Sequence, residues 1–277
     1  MNRRTLLPLG SLFIHGLAGC SEGTDTNTTP GFRVTLETKV ELASPPTFEN
    51  AMGWEITLTK IAMSSGPIYY FDGAPIESAA RSGSGPARAP VLPVVEPAWG
   101  ILSPLFVHAH PGHYDPGEAK GEMLESASFD LAAGPAALPT GEGTSGVFRS
   151  ARFTWQSPAQ GALASELGAD VLVLEGTATK GEFEKVFKLV AAPSDTLDAA
   201  DEPELDGCTF EEADVQSDGV VTISVDPRVW LDQADFSDVE TSPDGTPVEV
   251  PAELEAARAF VRGIKKSTAF TFRFTSK

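Results

Sequence analysis

The sequence predicts a mainly β protein, an antiparallel β-sandwich of immunoglobulin-like or jelly-roll-like form with one C-terminal helix. Three features point there. Short segments alternate apolar and polar residues; Gly-containing turn signals separate them; and one stretch near the C-terminus has helix chemistry.

The alternation is clearest in Phe32-Arg33-Val34-Thr35-Leu36-Glu37, in Trp54-Glu55-Ile56-Thr57-Leu58-Thr59 and in Val220-Val221-Thr222-Ile223-Ser224-Val225. Period two with β-branched and aromatic residues marks strands with one buried face. Further strands are expected at 67–71, 104–110, 123–131, 147–155, 170–179, 182–190 and 268–275. Asp72-Gly73, Gly181, Asp218-Gly219 and Asp244-Gly245 supply turns, with Asp218-Gly219 read as a hairpin turn. Residues 77–98 are rich in Ala, Pro, Gly and Ser and read as a long crossing loop. Ala252 to Lys266 holds good helix formers, with Pro251 before them and Lys265-Lys266 at the end, as helix chemistry favours. Leu254, Ala257 and Val261 share a face, so this helix is expected to cap the sandwich. Phe270, Phe272 and Phe274 alternate in a last strand.

The chain has 277 residues, 41% of them hydrophobic, enough for a packed core in one domain over 32–277. Its formal charge is −19. That balance argues against nucleic acid and against anionic lipid surfaces as partners. It suits a soluble domain or a cation binder.

Met1-Asn2-Arg3-Arg4 followed by a short apolar stretch reads as a secretory leader over residues 1–19, too short to span a bilayer as a stable helix. Leu17-Ala18-Gly19-Cys20 resembles the lipobox of bacterial lipoproteins. The resemblance covers the first twenty residues. It implies cleavage before Cys20, acylation of Cys20 and anchoring in a membrane by several acyl chains. Ser21 stands where an Asp would signal inner-membrane retention, so the resemblance implies an outer-membrane lipoprotein, facing the periplasm or the cell surface. Arg3-Arg4-Thr5-Leu6-Leu7 also loosely resembles a twin-arginine signal, with Pro8 where a basic residue is usual. Residues 20–31 are then a lipidated tether, polar and without large apolar side chains before Gly31. With Cys20 acylated, Cys208 has no partner for a disulfide and reads as a small buried apolar residue, with a metal-ligand role the weaker reading.

Three of the four histidines fall within six residues, in Val107-His108-Ala109-His110-Pro111-Gly112-His113-Tyr114. On a strand, His108 and His110 would point to one side, and a turn at Pro111-Gly112 could return His113 to them. Three imidazoles suit zinc or copper. Asp115, Glu118 and Glu122 follow, and Asp115 or Glu122 is expected to add a carboxylate ligand. Met123 is a weaker hint of reduced copper. The alternative is a solvent-exposed loop whose histidines stabilise a turn or meet a protein partner.

His108 and His110 near an acid look like the first cupin motif, but Asp115 stands where that motif has Glu, and no histidine follows His113. Nothing is carried over from cupins. Asp214-Val215-Gln216-Ser217-Asp218-Gly219 resembles the start of an EF-hand loop, yet the twelfth position is Val225 where a bidentate Glu is needed. The acidic stretch 194–219 therefore reads as a solvated loop, with calcium the weaker reading. No G-x-S-x-G elbow, phosphate-binding Gly-rich loop or H-E-x-x-H pattern occurs. A pair of carboxylates acting on a glycoside needs no local spacing and stays open. Trp54, Trp99, Trp155, Trp230, Tyr69 and Tyr70 are expected mostly in the core or at strand edges.

Two functional expectations stand. One is an envelope lipoprotein binding zinc or copper through His108, His110 and His113 for metal handling or sensing. The other is a non-enzymatic envelope module that binds a protein or a glycan without metal.

Overall fold

Alternation sets the local structure throughout the computed structural model, which describes residues 31–75, 114–198, 200–242 and 244–277. Strand β1 (Arg33–Leu42) buries Val34, Leu36, Thr38 and Val40 and exposes Arg33, Thr35 and Glu37. Twelve more strands follow: β2 (Thr47–Glu49), β3 (Glu55–Phe71), β4 (Ala119–Met123), β5 (Ala127–Asp130), β6 (Ala136–Thr144), β7 (Gly146–Trp155), β8 (Leu172–Lys180), β9 (Phe183–Ala191), β10 (Glu204–Val215), β11 (Gly219–Val225), β12 (Val248–Glu249) and β13 (Phe270–Ser276). The helices are α1 (Ala164–Leu167), α2 (Pro227–Leu231) and α3 (Glu255–Ile264). The described residues form one compact unit.

The chain is mainly β, as expected, but the sheet is mixed. β1 runs parallel to β11, β10 to β13 and β9 to β12, against the expectation of an all-antiparallel arrangement. The strands also belong to one hydrogen-bonded sheet rather than to two. Its path runs β3–β4–β6–β1–β11–β13–β10–β7, and pairing of β7 with β3 closes that path on itself. Closure leaves these eight strands no free edge, which removes a route to edge-to-edge aggregation.

β3 makes closure possible because it is long. Its C-terminal half pairs with β4 and β7, and its N-terminal half continues beyond the ring to pair with β2 and β8. The register gives the ring two ends. Arg33, Phe71, Ala119, Thr144, Gly146 and Gly219 mark one end; Leu42, Ser65, Trp155, Val225 and Phe270 mark the other.

The core is aromatic. Tyr70, Phe148, Phe210 and Phe272 pack at centroid distances of 5.6 to 6.2 Å, and Phe153 stacks on Phe270 at 4.6 Å. Burial pushes the Tyr70 hydroxyl up to about 12; it lies near the Thr38 hydroxyl, though neither has a hydrogen-bond partner among the described residues. Trp54, Trp155 and Trp230 are buried as expected, whereas Trp99 lies outside the described residues.

Helices α2 and α3 sit at the Phe270 end. Asp226 caps α2 by accepting from the Arg228 N–H, with Pro227 in the first turn, and Trp230 reaches the Phe270 ring at 6.1 Å. The expected helix over 252–266 forms over Glu255–Ile264, starting later than Pro251 suggested. Its buried face centres on Ala256, Phe260 and Gly263, with Leu254 and Val261 only partly covered. Gly263 is the point of closest approach: a Cβ there would lie 2.4 Å from the Trp230 carbonyl oxygen.

Other expectations change. Asp218-Gly219 is not a hairpin, because β13 lies between β10 and β11. The Asp218 carboxylate instead accepts from the Thr35 N–H of β1 at 2.6 Å. The acidic stretch 194–219 is not one solvated loop, since Glu204–Val215 is strand β10. Among the described residues three helices occur where one was expected, α1 and α2 being single short turns. The leader, most of the tether, the expected strand 104–110 and the loop 77–98 lie outside the described residues.

Candidate functional site

The histidine segment belongs to the stretch between Pro75 and Tyr114. His108, His110 and His113 lie outside the described residues, but both attachments of that stretch are defined. β3 ends at Phe71 and is followed by Asp72-Gly73, and the returning chain runs Tyr114-Asp115-Pro116-Gly117-Glu118 into β4. The Gly73 N–H donates to the Pro116 carbonyl at 2.8 Å, and the Asp72 N–H to the Glu118 carbonyl at 3.2 Å. The Asp72 carboxylate accepts from the Glu118 N–H at 2.7 Å, and Asp115 accepts from the Gly117 N–H at 3.0 Å. Gly117 is required here. Its φ is +74°, and a Cβ would fall 2.3 Å from the Asp72 carboxylate.

Charge is concentrated at this base. Lys120 Nζ lies 2.6 Å from Glu118 and 3.6 Å from Asp72. The Glu118 hydrogen bond is the largest influence holding the Lys120 ammonium above its ordinary range. Tyr114 lies half-buried against β7, its hydroxyl 2.7 Å from Ser150 Oγ. Burial raises the Tyr114 hydroxyl above its ordinary range, against the Ser150 hydrogen bond. Beside it, Arg152 on β7 bridges Glu204 at 2.9 Å and Asp206 at 2.6 Å on β10, with its guanidinium 5.9 Å from the Phe71 ring centroid. The residue bonded to His113 is thus held on a rigid wall.

The two carboxylates expected beside the histidines occupy different surroundings. Asp115 sits in the turn, with one oxygen engaged by Gly117. Glu122 lies further along β4, about 10 Å beyond Ala119 at the rise of a strand, paired in register with Tyr69 and with Glu142. It lines an open cleft of about 280 Å³ with Arg33, Lys120 and Glu142, and Asp115 is not part of that lining. Facing Glu122 and Glu142 repel one another across the ladder, and Arg33, 3.5 Å from Glu142, offsets this. Among the described residues no three His, Cys, Asp or Glu side chains gather in metal-binding geometry. Asp115 thus lies at the base of the histidine segment, and Glu122 lines the cleft.

Sequence reading did not single out Asp72, Lys120 or Ser150 for this base. Asp72-Gly73 was visible as a turn; that its carboxylate would hold Glu118, 46 residues on, was not. Among the described residues Cys208 is buried and unpaired, with its thiol pushed up to about 12 by burial, which marks it as an inert core residue. Several acids of 194–219 have structural partners: Asp198 accepts from the Ala200 and Glu202 N–H groups, and Glu204 and Asp206 hold Arg152.

No family model, no curated protein and no solved structure matches the chain.

Proposed function

We propose that this chain is an envelope lipoprotein, acylated on Cys20 and held at the outer membrane, that binds zinc or copper through His108, His110 and His113 for metal handling or sensing. The observation that carries the reading is the sequence His108-Ala109-His110-Pro111-Gly112-His113, which ends one bond from Tyr114, held against β7 through Ser150. Three imidazoles are a sufficient nitrogen set for either metal. The carboxylate nearest in sequence is Asp115, which keeps one oxygen free of the Gly117 bond and could act as fourth ligand or hold an imidazole N–H. Glu122 is the less favoured carboxylate, because it faces the cleft with Arg33 and Lys120. The lipid rests on the lipobox resemblance at Leu17–Cys20. The immunoglobulin-like or jelly-roll-like form expected from the sequence is not part of this proposal, which needs only the rigid wall beside Tyr114.

A second reading, an interaction module for a protein or glycan, is favoured by one observation: Phe183 stands 67% exposed at the β8–β9 turn.

A competition titration separates the two. The mature chain in detergent, without a histidine tag, is titrated with zinc against a chromophoric chelator, beside His108→Ala/His110→Ala. The proposal expects the wild type to strip zinc from the chelator and the variant to fail, with the effect fading below about pH 6.5 as imidazoles protonate. Identical curves for both proteins would defeat the metal reading. Cys20→Ser should move the chain from the membrane fraction to the soluble one; unchanged fractionation would defeat the anchor.

A further inference from the structure

β8 and β9 join through the two-residue turn Gly181-Glu182, with Gly181 at φ +62° as a type II′ hairpin needs. This hairpin lies at the N-terminal end of β3, about 50 Å along that 17-residue strand from the Asp72 base. Register places Lys180 opposite Phe183 and Ala178 opposite Lys185. A cavity of about 330 Å³ opens there, lined by Trp54, Lys180, Gly181, Phe183, Lys185 and Ser237. Its floor is aromatic. Trp54 is almost wholly covered and meets Phe236 edge-on at 5.8 Å, and Phe236 lies 4.6 Å from Phe187. Its wall is the exposed ring of Phe183.

The charge at this mouth runs against the rest of the molecule. The chain carries 39 acidic and 20 basic residues, yet two ammonium groups border one apolar cavity. Lys180 Nζ stands 5.7 Å from the Trp54 ring centroid and donates to the Met52 carbonyl at 2.7 Å. Lys185 Nζ donates to the Val239 carbonyl at 2.5 Å. Among the described residues neither has a carboxylate within 4.0 Å. Each ammonium has three protons and spends one on a carbonyl. The nearby Asp235 is already occupied, accepting from Trp54 Nε1, from the Ser237 N–H and from Ser237 Oγ.

We propose that this cavity binds a small aromatic carboxylate, with its ring against Phe183 above the Trp54 floor and its carboxylate against Lys180 and Lys185. The volume is at the low end for small-molecule sites, and a mainly apolar lining with a few placed charges is their usual make-up. Ring stacking would use the exposed face of Phe183, and two ammonium groups with no carboxylate within 4.0 Å among the described residues favour an anion over a neutral ligand. The cavity shares no residue with the histidine segment, so either proposal can fail alone.

Calorimetric titration of the mature chain in detergent with indole-3-acetate, and with indole-3-acetamide as the neutral analogue, tests it. One saturable site for the acid is expected, with the amide at least tenfold weaker. Lys180→Gln/Lys185→Gln should bring the acid down to the level of the amide, and Phe183→Ala should weaken both. Thermal melting at the wild-type temperature shows that each variant is folded. No saturable heat for the acid, equal binding of acid and amide, or full binding by the lysine variant would each overturn the proposal.

Discussion

Replacing Asn50 by Ala should be among the most damaging single changes away from the aromatic core. Asn50 is 6% exposed and uses its full hydrogen-bonding capacity. Its Nδ2 donates to the Leu231 carbonyl at 2.9 Å and the Ala234 carbonyl at 2.8 Å, and its Oδ1 accepts from the Met52 and Trp54 N–H groups at 3.0 Å each. One side chain thus ties the turn before β3 to the end of α2. Asn50→Ala leaves the Ala234 carbonyl and the Trp54 N–H buried without partners, while the Leu231 carbonyl still accepts from the Ala234 N–H at 3.1 Å and the Met52 N–H is nearer solvent. Two buried orphans at about 1–3 kcal/mol each, eased by partial access of water, bring the sum to about 3 kcal/mol. For a domain of this size that is a fall in Tm of about 6–12 °C. Asn50→Asp keeps both acceptor bonds but turns a carboxylate toward two carbonyls, so at pH 7 it should be no more stable than the Ala variant. Urea denaturation with calorimetry measures both. A loss under about 1 kcal/mol for Ala, or wild-type stability for Asp, would refute the reasoning.

Three further changes probe other contacts. Gly263→Ala should cost about 2 kcal/mol or more by denaturant titration, because its methyl would meet the Trp230 backbone, which cannot rotate away as a side chain could. Asp226→Asn keeps the α2 cap but loses charge. Burial pushes the Asp226 carboxyl up, yet hydrogen bonds from the Arg228 side chain and N–H, and from Ser44, outweigh it and leave it below its ordinary range. Its contribution is therefore present above about pH 3.9 and lost as pH falls through the lower folded value. Half-exposed Arg228 keeps it near 1 kcal/mol at pH 7, so the variant and wild-type stability curves should converge in acid. Arg152→Met should cost about 2 kcal/mol at pH 7 by leaving Glu204 and Asp206 to repel each other. Burial already raises the Glu204 carboxyl. Part of that loss should return on acidification, beginning above the ordinary Glu value of about 4.3 as Glu204 takes a proton, and a pH-independent loss would contradict the pairing.

Strands with one buried face were legible in the sequence: β1, β7, β8, β9, β11 and β13 all match expected segments. β3 read as two pieces, 54–59 and 67–71, because its middle loses alternation. Residues Ile61 to Gly66 are buried on both faces, with Ala62 packed under Leu167 and Val173 on the outer side. β10 was obscured by two register shifts, which break the spacing of Leu205, Cys208, Phe210 and Val215, and by acids on its exposed side. β6 holds few large apolar residues. Gly141 and Gly143 are needed there because a Cβ would strike the Glu122 carbonyl or the Leu36 side chain. Order and direction were less legible still. A closed ring and a sandwich both bury alternate residues, so period two does not choose between them. The insertion of β13 between β10 and β11 leaves no local mark at Asp218-Gly219.

At the candidate site the sequence offered the ligand types and their spacing, whereas the tertiary ties were hidden. Asp72 and Glu118 are 46 residues apart and Tyr114 and Ser150 are 36 apart, and no local pattern couples such pairs. The separation of Asp115 from Glu122 is a consequence of β4. A turn followed by a strand carries the second carboxylate along the wall, away from the first.

Elemental mass spectrometry of the mature chain, purified in detergent without a histidine tag, tests the central proposal most directly, with His108→Ala/His110→Ala alongside. The proposal predicts near-stoichiometric zinc or copper in the wild type and none in the variant. No metal in either protein, even after incubation with zinc and with both copper oxidation states, would contradict it.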